Sequence, residues 1–133
     1  MASLITGLEP ARVRANLERV REEIAGTGRA LEEVEILVEV NVTGEAGKSG
    51  IPPPELPAFL ERSPVRVIGL MTMPPLAVRP EDSRPHFATL RELAERHGLR
   101  QLSMGTSQDY LVAVQEGATI VRLGSVLYGS RTH

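Results

Sequence analysis

The chain has 133 residues, 41% of them hydrophobic and 24% charged, and 15 basic against 17 acidic residues leave a net charge of -2. This balance is that of an ordinary folded chain and argues against disorder, collagen, coiled coil, nucleic-acid binding and attraction to anionic membranes. Cysteine is absent, which removes disulfide scaffolds, thiol nucleophiles and cysteine-ligated zinc.

In chain order, Pro10 suits the first position of a helix. Val13, Leu17, Val20 and Ile24 then recur at helical spacing, and Gly26 and Gly28 end the stripe. From Val34 to Val42 apolar residues alternate, with Val34, Ile36, Val38, Val40 and Val42 on one side, which predicts a strand. A glycine-rich loop over 43–50 leads through Pro52, Pro53 and Pro54 to a short helix carrying Leu56, Phe59 and Leu60. Val65–Met71 predicts a second strand, and Ser83 is placed to cap a helix with Phe87, Leu90, Leu93 and Ala94 on one side. Leu99–Met104 predicts a third strand. Ser107 is placed to cap a helix with Leu111 and Val114, and Thr119–Leu123 predicts a fourth strand.

This alternation predicts an α/β class with a parallel sheet and right-handed crossovers in a single domain, residues 1–133. At roughly 30 residues for each βα unit, the chain holds about four strands, whereas a closed eight-stranded barrel needs about 200 residues. The opening Met1–Thr6 lacks a basic start with a long apolar run. Nowhere do roughly 18 apolar residues follow one another, so a cytoplasmic chain is expected.

Three junctions carry candidate chemistry. Gly44-Glu45-Ala46-Gly47-Lys48-Ser49 ends like a phosphate-binding P-loop, but Val42 stands where that loop needs glycine and Pro52–Pro54 obstruct the helix it needs next. Ser103-Met104-Gly105-Thr106-Ser107 runs from a strand into a helix start, where free N–H groups and hydroxyls can cradle an anionic oxygen; a plain cap is the other reading of Ser107. Arg122-Leu123-Gly124-Ser125 closes the last strand, where ligands of parallel α/β folds bind, and an ion-pair role for Arg122 stands beside that reading. His86, His97 and His133 have no metal-ligand spacing, and no metal is expected.

Val40-Asn41-Val42 with Lys48-Ser49-Gly50, Gly69-Leu70-Met71-Thr72-Met73-Pro74, Ser103 to Ser107, and Arg122 to Ser125 together resemble the pyridoxal phosphate homeostasis family, which is related to the alanine racemase N-terminal domain. The resemblance implies an incomplete (β/α) barrel of about four parallel strands with an N-terminal helix, and pyridoxal 5'-phosphate as cofactor. It implies that Ser107, Gly124 and Ser125 bind the phosphate, with Ser103, Met104 and Gly105 lining the same site. It places Arg122 against the pyridine nitrogen, where a fixed cation disfavours protonation of the ring. The first strand of that family continues into a lysine that forms the Schiff base. Here Val42 occupies its place, and several βα units between the first strand and residue 39 are missing. Lys48, the only side-chain amine, is the one alternative aldimine site. The expected function is therefore cofactor binding through phosphate and ring without turnover. The alternatives are a racemase-like enzyme using Lys48, nucleotide binding, or a remnant without a ligand. The two open edges of a four-stranded sheet suggest a homodimer.

Overall fold

A computed structural model of the chain describes residues 10–44, 49–75 and 77–129. Lys48 and His133 therefore lie outside the described residues. Helix α1 spans Pro10–Ala25 and stops before Gly28, whose φ of 91° is left-handed. Leu17 is buried and Ile24 half-buried, while Val20 is exposed. A 3-10 turn over Leu31–Glu33 precedes β1, Glu35–Glu39. Another, Pro53–Glu55, opens α2, Leu56–Arg62, which leads to β2, Arg66–Met71. A turn over Pro80–Ser83 runs into α3, Arg84–Arg96, followed by β3, Gln101–Ser103. The chain then forms α4, Tyr110–Gln115, and a single helical turn, α5, Ser125–Tyr128.

The strands form one parallel sheet in the order β1-β2-β3. Of the four strands expected, the last is reduced to one parallel bridge between Ser103 and Ile120. Its hydrogen bonds to β3 are nevertheless in place: Thr119 N and Ile120 N donate to Leu102 O, Met104 N to Ile120 O, and Arg122 N to Gly105 O.

Register decides which side chains share a face. Val38, Leu70 and Leu102 align, and so do Glu39, Met71 and Ser103. The first row joins Leu56 of α2, Phe87, Leu90, Leu93 and Ala94 of α3, and Val112 and Ala113 of α4 in one apolar cluster. Successive strand residues point to opposite faces, so the second row turns away from those helices. Along that other face Leu37, Glu39, Met71 and Gln101 are only half-buried.

Two polar details fix the helices. Ser83 stands at the N-cap of α3 as expected, but its hydroxyl makes no cap bond and is buried without a partner among the described residues. Arg84 pairs with Glu81 and donates to Glu116 at 2.8 Å and Gln115 at 2.6 Å, while Arg91 donates to Glu116 at 2.6 Å. This network ties α3 and its leading turn to the end of α4. The two guanidiniums hold the Glu116 carboxyl below the usual glutamate range, Arg84 contributing most, and Glu81 is lowered by Arg84 in the same way.

Candidate functional site

In a parallel sheet every strand ends at the same rim, and the loops leaving that rim are free to carry polar groups. Thr72 follows β2 there, Ser103 to Gly105 close β3, and Arg122 to Ser125 follow the bridge at Ile120. The buried Thr72 accepts Arg122 Nη2 on its carbonyl at 3.1 Å, and its own hydroxyl donates to Val40 O at 3.1 Å. Arg122 Nη1 donates to Ser103 Oγ, also at 3.1 Å. Both partners of the guanidinium are neutral. No carboxylate lies within ion-pair distance of it among the described residues. The ion-pair reading of Arg122 therefore finds no partner there, and its charge stands half-buried and uncompensated.

The other half of the rim is built by Ser107. Its expected role as cap of α4 is not what the structure shows: the N-cap is Asp109, and no side chain makes a cap bond there. Instead Ser107 Oγ accepts Gly124 N at 2.9 Å and Val126 N at 3.2 Å, so it joins the loop after β3 to the loop after Ile120. A hydroxyl accepting two N–H groups still has its own proton to donate. Asp109 instead shapes the turn, its Oδ1 accepting Thr106 N at 2.7 Å and Thr106 Oγ1 at 3.2 Å. Gly105 is needed where it stands. Its φ is 105°, and a Cβ there would come within 2.7 Å of Ala113 Cβ.

Of the sequence-predicted residues, Ser103, Gly105, Ser107, Arg122 and Gly124 are brought together by these bonds. Ser125 is exposed at the start of α5. Met104 turns its side chain into the apolar cluster and is fully buried. Val42 is half-buried against the same cluster, an apolar residue at the place that the first-strand alignment assigns to the Schiff-base lysine. Thr72 was not among the expected site residues, although it follows β2 within the Gly69–Pro74 motif at a strand end. Downstream of the Gly-Lys-Ser stretch, Ser49 Oγ donates to Glu39 Oε2 at 2.7 Å, Ile51 bridges Val40, and a 3-10 turn follows. The helix that a P-loop needs after its serine is absent there.

Chemically, the rim offers the Ser107 hydroxyl proton and a cation with no carboxylate partner among the described residues, while the N–H groups of Gly124 and Val126 are given to Ser107 Oγ. The proton and the cation suit an anion with several oxygens and an acceptor ring nitrogen. Two hollows lie away from it. One of about 390 Å³ sits at the opposite strand ends beside Glu35, Arg66, Leu99 and Arg100. Another of about 380 Å³ runs beside β1.

The family model described as alanine racemase, N-terminal domain, matches residues 13–132. The pyridoxal phosphate homeostasis protein of Aquifex aeolicus is 47% identical over 109 residues, which cover 74% of this chain and 48% of that protein. Its counterpart in Pseudomonas aeruginosa is 42% identical over 104 residues, with 74% and 45% covered. The chain thus spans about half the length of these relatives. Among solved structures, PipY of Synechococcus elongatus without PLP superposes with a TM-score of 0.68 at 32% identity, covering 86% of this chain and 57% of that one. The same protein with PLP bound gives 0.66 at 27% identity, with 92% and 68% covered. Among the described residues no helix is long and apolar enough to cross a membrane.

Proposed function

Because the chain belongs to the alanine racemase N-terminal domain family, we propose that it binds pyridoxal 5'-phosphate through phosphate and ring, without a covalent link and without turnover. The observation that carries this reading is the 2.9 Å contact between Ser107 Oγ and Gly124 N, which brings the two donor loops to one point. Ser107, Gly124 and Ser125 take the phosphate, and Ser103 and Gly105 line the same site. Met104, fully buried in the apolar cluster, supports that loop from behind and does not touch the ligand. Arg122 faces the pyridine nitrogen, and its lack of a carboxylate partner leaves that charge available to keep the ring unprotonated.

When bound, the cofactor supplies an aldehyde and an aromatic ring able to accept electrons, and a neutral pyridine is the weaker electron sink. The half-buried Val42 offers no amine for that aldehyde, so retention depends on the phosphate and the ring. Two strands' worth of unpaired edge support a homodimer, and a chain free of cysteine suits the cytoplasm.

Titration with pyridoxal phosphate, followed by absorbance and dialysis, tests the reading. Saturable binding that weakens by about tenfold or more in Arg122→Gln and in Ser107→Ala is the expected result, since a charge-assisted bond lost is worth about 1.5–3 kcal/mol. Affinity in both variants equal to that of the unaltered chain, or no saturable binding by the unaltered chain, overturns it. Borohydride reduction followed by peptide mapping covers the covalent alternative, with Lys48 expected to remain unlabelled.

A further inference from the structure

Among the described residues the sheet has one helix-covered face, one uncovered row and two unequal edges. At the first edge, β1 is bonded to β2 on one side, and on its other side Ile51 covers only the end of the strand, through Ile51 N to Glu39 O and Asn41 N to Ile51 O. Below that point the hollow of about 380 Å³ is lined by Ile36, Leu37, Val38 and Phe59. At the second edge, the stretch through Ile120 pairs with β3 alone. Ile120 itself is exposed, and so are Val126, Leu127 and Tyr128 of α5 and Leu111 and Val114 of α4. Apolar side chains thus flank both edges, a burden that isolated sheets do not carry without a partner.

Resting on the reading of this chain as an edge-paired homodimer, we propose that two copies close into one eight-stranded parallel barrel. Each β1 edge joins the Ile120 edge of the other copy. A two-fold axis parallel to the strands keeps all strands parallel, so both joints are of the same parallel kind as the joints inside the sheet. Three strands and one bridged stretch from each copy make eight, the number at which a parallel β/α sheet closes.

Charge favours the same joint. Arg122, with no carboxylate partner among the described residues, stands on the second edge. Glu39, held in the described residues by the Ser49 hydroxyl and by no cation, stands on the first. In the closed ring the uncovered row of Leu37, Glu39, Met71 and Gln101 becomes the barrel interior. The end of the other copy's β1 then walls the rim beside Arg122 and Gly124, a side that a single copy leaves unbuilt.

Sedimentation of the full chain without ligand, combined with disulfide trapping, decides this. The chain has no native cysteine, so introduced thiols report alone. Leu37→Cys and Ile120→Cys lie on the two edges, and neighbouring strands bring paired Cα atoms within disulfide reach. Glu35→Cys with Ala118→Cys, two residues back along both strands and so in the same register, is the second pair should the first disturb folding. The expected result is twice the mass of one chain, and a cross-link on oxidation in a mixture of the two variants but not in either alone. Cross-linking of each variant to itself, or no cross-link in either mixture at dimer mass, overturns the ring and leaves the homodimer standing. A mass of one chain overturns both. Cofactor binding is read separately by the titration above, so its failure is not confused with either.

Discussion

Val38, Leu70 and Leu102 sit in register on one face of the sheet, and their chain neighbours Glu39, Met71 and Ser103 sit in register on the other. The first row lies under three helices and is buried; in the second, Glu39 and Met71 stay half-buried and Ser103 is tied to the Arg122 guanidinium. The same strands therefore serve two purposes, stability on one side and chemistry on the other. The division comes from a period of two along each strand, so neighbouring residues in the chain can have unrelated costs of substitution. Mutation can break or sharpen that contrast.

The largest effect is expected on the covered face. Phe87→Ala removes a fully buried ring from the cluster and should cost about 3–5 kcal/mol, read as a fall in the denaturant midpoint. Leu37→Ala, half-buried in one copy, should cost only about 1 kcal/mol where the chain is diluted to single copies, and more where two copies close over that face. A large loss at every protein concentration would mean that the face is covered within one copy.

Gly105→Ala falls between the two, because the residue belongs to the rim while its missing Cβ faces α4. A left-handed φ and a contact 2.7 Å from Ala113 Cβ predict a loss of about 1–3 kcal/mol, together with weaker cofactor binding as α4 shifts. A stability loss with unchanged affinity would separate the rim from the helix behind it.

The smallest effect is electrostatic. Glu116 is held below the ordinary glutamate value of about 4.3 by Arg84 and then Arg91. The folded chain binds that proton less readily than the unfolded chain. The contribution is therefore complete above the ordinary value and is lost as pH falls through the lowered one. Melting temperature against pH should drop on the acid side in the unaltered chain and more gently in Glu116→Gln. Parallel curves would show that the pair does not secure α4.

Much of this was legible beforehand. The alternation from Val34 to Val42 marked β1, and the spacing of Phe87, Leu90, Leu93 and Ala94 marked the buried side of α3, because burial on one face imposes its period on the chain. The fourth strand was legible as a pattern in Thr119–Leu123, but the structure keeps only the bridge at Ile120 and the hydrogen bonds beside it. Ser107 looked like a cap for its own helix, and local pattern could not reveal that its hydroxyl reaches Gly124 across 17 positions of chain. Thr72 lay in view within its motif, yet what it offers is a backbone carbonyl, which no side-chain pattern marks.

By itself the sequence determined the α/β alternation, the parallel class and the buried stripe of α3, because periodicity and residue type are local properties. The stripe expected of α4 was wrong, since Leu111 and Val114 are exposed and Val112 and Ala113 are buried, and the lysine's place at Val42 came from the family resemblance. Only the tertiary structure decided that Ser107 meets Gly124, that Arg122 bridges Ser103 and Thr72 with no carboxylate partner among the described residues, and that the described residues leave one sheet face and two edges uncovered. Those are contacts between distant segments, set by strand order and register, and the free energy that selects them belongs to the packed whole.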